Sequence, residues 1–470
     1  MRKIGKEKKM ESKNAWLSYR EEQVGEVMDY NEGYKRFLSE GKTERECVAY
    51  AVREARENGY RDLKAIIKNK EKLQPGDKVY YSYMDKSLLM FIIGTDPLEE
   101  GMNILGAHID SPRIDVKCNP LYEDTELAYL DTRFYGGIKE YQWLAMPLAL
   151  HGVVAKKDGT VEHVSIGEKP EDPVFGITDL LPHLAQNQMG KKAGEFIDGE
   201  ALDLLVGSMP RADEEKKEER VKSTILDILK KQLGMEEADF LSSELEIVPA
   251  GKARDFGLDR SMIMSYGHDD RVCAYPSYTA MFAVEAPKRT CVCILVDKEE
   301  IGSEGATSMN SDFFKNAVAE LVNCLGEYSG LTVKRALSNS RMLSSDVTAA
   351  YDPLYGEVSE KKNTAYLGRG LAFCKYTGGS GKARSNDANA EYIAALRRVL
   401  DEADVRWQMT ELGRVGVGGG GTIAKFVASY GMDVIDSGVP VLSMHAPWEV
   451  VSKADVYEAY RGYVAFLKNS

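Results

Sequence analysis

Long apolar runs are missing from this 470-residue sequence. No segment approaches the ~20 apolar residues that a membrane-spanning helix needs. Positive charge is also in short supply: 61 Lys and Arg stand against 74 Asp and Glu, a net charge of −13. That balance argues against nucleic acid or an anionic membrane surface as a partner. The basic start, Met1 to Tyr19, has no apolar stretch behind its lysines and does not read as a secretory signal. Cysteine is scarce and odd in number, seven in all, mostly inside apolar runs such as "TCVCILV" around Cys291 and Cys293. Such placement fits buried free thiols in a reducing compartment better than a disulfide framework, so a cytoplasmic protein is expected. Internal repeats, low-complexity tracts and the G-x-x-x-x-G-K-[ST] phosphate loop are absent as well.

A chain of this length exceeds one ordinary core, which predicts two domains or one large domain with an insertion. "KTERECVAYAVREARENGY" places Thr43 and Glu46 as a capping box before an apolar stripe, with Gly59 as the stop. "KVYYSYMDKSLLMFIIG" predicts a hairpin turning near Asp85 and Lys86. From about Cys118 to Phe256 the pattern changes to short strands, such as "LALHGVVAK" and "VEHVSIG". A charge run from Arg211 to Lys222 follows, read as a solvated loop or helix face. This stretch reads as an insertion. From Ser261 onward β-rich apolar runs alternate with helical ones, the pattern of an α/β sheet with helices on its faces.

Several apolar runs end in residues that can bind a metal. "NILGAHID" reaches His108 and Asp110, "TCVCILVDKEE" reaches Glu299 and Glu300, "RMLSSDV" offers Asp346, and "VPVLSMHAP" ends near His445. Asp269 stands in "SYGHDDRVCAY", where a strand gives way to a helix. Any one of these is more often a satisfied polar group at a strand end than a ligand. Together they point to a crevice outside the carboxyl ends of strands, where open α/β sheets bind ligands. Histidines with several carboxylates suit zinc, or cobalt and manganese, in a site that two ions share through a bridging carboxylate. Adjacent glutamates can divide the work. One binds metal, and the other accepts a proton from water whose pKa an ion has lowered toward ~7.

The set "GAHIDSPR", "GHDDRVC", "DKEEIGSEGA", "SSDV" and "VPVLSMHAPWE" resembles the aspartyl aminopeptidase and aminopeptidase I family of dinuclear zinc metallo-aminopeptidases. The resemblance runs in family order over nearly the whole chain. It implies an α/β fold: a metallo-aminopeptidase catalytic domain with a central mixed β-sheet flanked by helices, residues 1–117 and 257–470. A smaller β-rich dimerisation domain, residues 118–256, would be inserted in it. His108 and Asp346 would hold one zinc, Glu300 and His445 the other, and Asp269 would bridge them. Glu299 would be the general base, and Asp110 would hydrogen-bond the far nitrogen of His108, fixing its tautomer. A cis peptide bond is expected between Asp269 and Asp270.

Short peptides would be the substrates, and dimers would assemble into a dodecamer. The resemblance also places Gly421 in a glycine-rich loop beside the substrate. It makes Lys375 the cation for an acidic N-terminal side chain, with Lys382 and Arg384 as alternatives. Asn187 departs from the family, which usually carries there a histidine that reaches a neighbouring subunit's site. "VTAAYDP", Val347 to Pro353, lacks further expected histidines. A modest acidic preference is therefore expected. His151 and His163 are assigned to packing or surface, His268 is expected to point away from the metals, and His183 is left open.

Other readings fare less well. Gly416, Gly418 and Gly421 satisfy G-x-G-x-x-G, but they fall late in the chain and no acid is placed to hold a ribose. A peptidase fold without chemistry should have dropped a ligand or the base, and none is missing. A broad-specificity aminopeptidase, or a related dinuclear amidohydrolase or carboxypeptidase, is the alternative.

Overall fold

The computed structural model describes residues 13–212 and 218–469. The start of the basic leader and the middle of the charge run lie outside the described residues. Four parallel strands lie side by side in the order Thr290–Val296, Met102–His108, Arg341–Ser345, Asp433–Gly438. They form the centre of a nine-stranded mixed sheet. The hairpin Lys78–Tyr83 and Ser87–Ile92 extends it on one side, and Leu371–Cys374 with Trp407–Thr410 on the other. Every residue of Met102–His108 and of Thr290–Val296 is buried. Alternating side chains explain why: Leu105, Ala107, Cys293 and Leu295 pack in one core, Ile104, Val292 and Ile294 in another. The first core is closed by helices His268–Phe282 and Lys453–Asn469, the second by Phe313–Leu325 and Gly330–Ser338. The fold is thus α/β with helices on both faces of the sheet.

Local signals are realised where chemistry demands them. Thr43 Oγ1 accepts the Glu46 N–H at 3.2 Å and Glu46 Oε2 accepts that of Thr43 at 3.0 Å, closing the capping box. The hairpin turns through Met84 and Asp85, both left-handed at φ 52° and 54°. All seven cysteines are free; six are buried, whereas Cys118 is exposed.

A six-stranded antiparallel sheet lies between Arg113 and Pro249, with its own core around Trp143, Phe240 and Ile247. Its first strand, Arg113–Asp124, begins ahead of the boundary expected at residue 118. A third sheet of five strands was not anticipated: Arg254–Phe256, Met262–Ser265, Glu449–Ser452, Pro440–Leu442 and Thr348–Ala349. Consequently the run leading to His445, and the strand before Asp269, belong to this small sheet and not to the parallel centre. Among the described residues, no helix is long and apolar enough to cross a membrane.

Candidate active site

His108 is the last residue of the central strand, where the apolar run reaches the carboxyl edge of the sheet. The chain then brings Asp110 under the turn that follows the neighbouring strand. Asp110 Oδ1 accepts the N–H of Glu299 at 3.1 Å, and Oδ2 accepts that of Glu300 at 3.2 Å. One buried carboxylate thereby sets the direction of both glutamates. Glu449 does the same on the other side. Its Oε2 accepts the Asp269 N–H at 3.0 Å and its Oε1 the His445 N–H at 2.7 Å. The peptide bond between Asp269 and Asp270 is cis, as expected.

These clamps bring His108, Asp269, Glu299, Glu300, Asp346 and His445 to one cleft of about 460 Å³. The oxygens of Asp269 part company: Oδ1 lies 3.2 Å from His108 Nε2, and Oδ2 lies 3.2 Å from His445 Nε2. Asp346 Oδ1 is 3.9 Å from His108 Nε2, and Glu300 Oε1 is 3.5 Å from His445 Nε2. His108 Nδ1 meets the Asp110 main-chain carbonyl at 2.9 Å, closer than the Asp110 carboxylate at 3.3 Å. The expectation named Asp110 as the partner of this nitrogen; the nearer of its atoms is the backbone oxygen. His445 Nδ1 donates to the Gly137 carbonyl at 2.8 Å. With both Nδ1 atoms committed as donors, each ring, when neutral, turns an Nε2 lone pair toward an Asp269 oxygen. Two acceptors so close need a proton or a cation between them.

The charge balance says the same. Burial pushes Glu299 up to about 7, with Asp110 and Asp269 reinforcing it and His108 and His445 opposing. Glu300 and Asp346 are raised well above the carboxylate range, first by burial and then chiefly by Asp269 and Glu299 respectively. Burial would lower His445, but its hydrogen bond to Asp269 and the charge of Glu300 lift it to about 10. Asp269 Oδ1, Glu300 Oε1 and both oxygens of Asp270 are buried and accept no hydrogen bond. Such orphaned acceptors are costly unless something positive joins them. Ligand atoms of His108, Asp269 and Glu300 fall within 4.8 Å of one another, and so do those of His108, Asp270 and Asp346. Imidazole and carboxylate donors this close fit divalent cations of the zinc type.

The sequence did not single out Asp270, Glu449, Tyr135 or Gly137. Asp270 had a signal in the doubled acid of "HDD", and Glu449 in the last letter of "HAPWE". Tyr135, whose hydroxyl donates to Asp110 Oδ2 at 2.8 Å, had none, because it arrives from the six-stranded sheet.

Gly421 lines the cleft. Lys375 does not. Its ammonium stands 3.9 Å from Asp387 on a half-exposed side chain, and Lys382 is 2.8 Å from the same carboxylate. Arg384, the remaining alternative, does line the cleft, and so does Lys425, which was not marked. His268 is buried against Tyr34 at 2.7 Å, directed away from the ligand cluster. His151 is held between Glu46 at 2.9 Å and Glu168 at 3.2 Å, whereas His163, His183 and Asn187 are exposed.

Residues 37–467 match the family described as aminopeptidase I zinc metalloprotease (M18). A relative from Clostridium acetobutylicum, a probable M18 family aminopeptidase 1, is 56% identical over 459 residues, covering 98% of each chain. A crystal structure of an M18 family aminopeptidase from Thermotoga maritima superposes with a TM-score of 0.93 at 42% identity, covering 98% of this chain and 100% of that one. Aminopeptidase I from Clostridium acetobutylicum gives 0.91 at 55% identity, covering 98% and 99%.

Proposed function

The chain belongs to the aminopeptidase I zinc metalloprotease family, M18, and is an aminopeptidase of it; from this premise we propose that it removes the N-terminal residue of short peptides at a site for two zinc ions. One observation carries the reading: Asp269 faces His108 with one oxygen and His445 with the other, both at 3.2 Å. His108 and Asp346 would hold one ion, Glu300 and His445 the second, and Asp269 both. Bound zinc would polarise the scissile carbonyl and acidify water, and cobalt or manganese could do the same.

The remaining work falls to the protein. Glu299, half-buried at the cleft and lifted to about 7, accepts the proton of the attacking water and returns it to the departing amine. Glu300 and Asp346 offer carboxylates to the substrate's α-ammonium. Asp110 and Glu449 keep the two halves of the site in register through the main-chain N–H groups they accept. A modest preference for acidic N-terminal residues completes the substrate reading, with a broad-specificity aminopeptidase or related amidohydrolase as the competing one.

The six-stranded sheet would act as the dimerisation domain, the dimers building a dodecamer. Supporting this, Leu180, Leu181, Leu184 and Met189 are exposed on its long connection, more apolar surface than solvent favours. Seven free cysteines agree with a reducing cytoplasm.

The test is release of amino acids from a panel of aminoacyl anilides and their N-acetylated counterparts, after chelation and reconstitution with zinc, cobalt or manganese. Cleavage of free-amine substrates alone, restored by metal, is expected. Equal cleavage of acetylated substrates, or full activity in chelator, would overturn the proposal.

A further inference from the structure

Strand register in the six-stranded sheet places four polar or aromatic residues on one face beside the active site. Arg113 and Asp115 stand two apart on the strand Arg113–Asp124 and so point the same way. Tyr135 lies opposite Arg113 on one neighbouring strand, and Glu246 lies opposite Asp115 on the other. Glu44 reaches them from outside this sheet, as the first residue of the helix Glu44–Glu57.

The buried Arg113 guanidinium is the centre of this group. Its Nε is 2.7 Å from Asp115 Oδ1 and 3.1 Å from Glu246 Oε2, and its Nη1 is 3.5 Å from Glu44 Oε2. Among the described residues, no other basic side chain comes within ion-pair distance of Asp115 or Glu246. Carboxylates that close on a planar fork from several sides fix its orientation. That orientation sets the guanidinium against the Tyr135 ring, 4.0 Å from its centre.

The far end of the ring belongs to the active site. Its hydroxyl donates to Asp110 Oδ2 at 2.8 Å, and Asp110 accepts the main-chain N–H groups of Glu299 and Glu300. The next residue, Gly136, has a φ of 73°, and a Cβ on it would stand 3.3 Å from the Glu300 Cβ and 3.4 Å from the Pro112 Cα. A shift of this turn is therefore felt at Glu300.

We propose that Arg113 is a positioning residue of the active site: held by Glu44, Asp115 and Glu246, it fixes the Tyr135 ring, whose hydroxyl keeps Asp110 and the Glu299–Glu300 turn in place. Arg113 does not line the cleft, so it acts only through its neighbours. A lysine would keep the charge, but its ammonium is a point donor that can neither fork to several carboxylates nor lie flat on a ring. This role rests on the aminopeptidase reading and adds to it a part for the inserted sheet in turnover. The competing account is an ion-pair cluster that only fastens the insertion to the rest of the chain. Such a cluster would govern stability and leave the kcat of the folded enzyme alone.

The experiment is a pair of double-mutant cycles on the zinc-loaded full chain, reading kcat and KM on leucine anilide, zinc content and Tm. One cycle combines Arg113→Lys with Tyr135→Phe, the other Asp115→Asn with Tyr135→Phe. Arg113→Lys should lower kcat about tenfold, the size of one weakened hydrogen bond to a carboxylate, with zinc at the wild-type content and KM changed by less than about twofold. In the Tyr135→Phe background no hydroxyl remains to be aimed, so the same change should cost less than about twofold in kcat. Asp115→Asn, which loosens the guanidinium without removing it, should lower kcat by a smaller factor and be silent in that background. Losses that multiply in the cycles, or wild-type kcat in the single variants with only Tm lowered, would overturn the role. If Arg113→Lys fails to fold, the Asp115→Asn cycle decides by the same criteria. A wild type unable to cleave leucine anilide would instead sink the aminopeptidase reading itself.

Discussion

The Tyr135 hydroxyl donates to Asp110 Oδ2 at 2.8 Å, joining the end of a strand in the six-stranded sheet to the residue that accepts the main-chain N–H groups of Glu299 and Glu300. The Arg113 guanidinium lies 4.0 Å from the centre of the Tyr135 ring, and Gly137, two residues on, receives the His445 Nδ1–H. The inserted sheet is therefore a structural part of the site, whatever it does between subunits.

Tyr135→Phe removes this hydrogen bond while keeping the ring. Bonds to charged groups contribute about 1.5–3 kcal/mol, so kcat should drop by about tenfold or more as the Glu299 turn loosens. Zinc content by metal analysis should stay at the wild-type value. Wild-type kcat in this variant would show that Asp110 needs no support from the insertion.

Glu299→Gln and Glu300→Gln should separate two roles that neighbours in sequence cannot share. The first should keep its metal and lose ~10² to 10⁴-fold in kcat, the usual effect of a lost general base. The second should weaken zinc retention on dialysis. Identical behaviour of both variants in rate and metal content would contradict the division.

Metal-free protein should lose stability as pH rises from about 5 to 8. Burial holds Glu299 at about 7 and Glu449 and Asp455 at about 8, so the folded state binds more protons than the unfolded one across that window. His445, lifted to about 10, acts with the same sign above neutrality: its contribution is present at low pH and is lost as pH climbs toward that value. Saturating zinc, at two ions per chain, should raise the Tm most at the alkaline end, because cations neutralise the crowded carboxylates. Thermal melts with and without chelator measure this; a metal-free Tm that climbs from pH 5 to 8 would refute it.

Lys375→Ala should lower kcat/KM for glutamate and leucine substrates by similar, small factors, since its ammonium serves Asp387 outside the cleft. A selective loss on glutamate substrates would return the acidic subsite to Lys375.

By itself the sequence determined which polar residues stand at the ends of buried runs, since apolar strands that end abruptly before or at His108, Glu299, Glu300 and Asp346 record locally that a buried run meets a polar crevice. Capping at Thr43 and the turn at Asp85 were legible for the same reason: their partners lie within a few residues. The route of His445 and Asp269 through a separate five-stranded sheet was decided only in three dimensions, because an apolar run does not record which neighbour it pairs with. The tertiary structure also decided which groups hold the ligands. Glu449 meets the Asp269 N–H across 180 residues of chain, and Tyr135 reaches Asp110 from a different sheet. Which lysine lines the cleft was settled likewise. Burial periodicity marks the face a side chain presents, but the carboxylate or cleft waiting there is set by segments remote in sequence, as Asp387 and the glycine-rich loop are for Lys375 and Lys425.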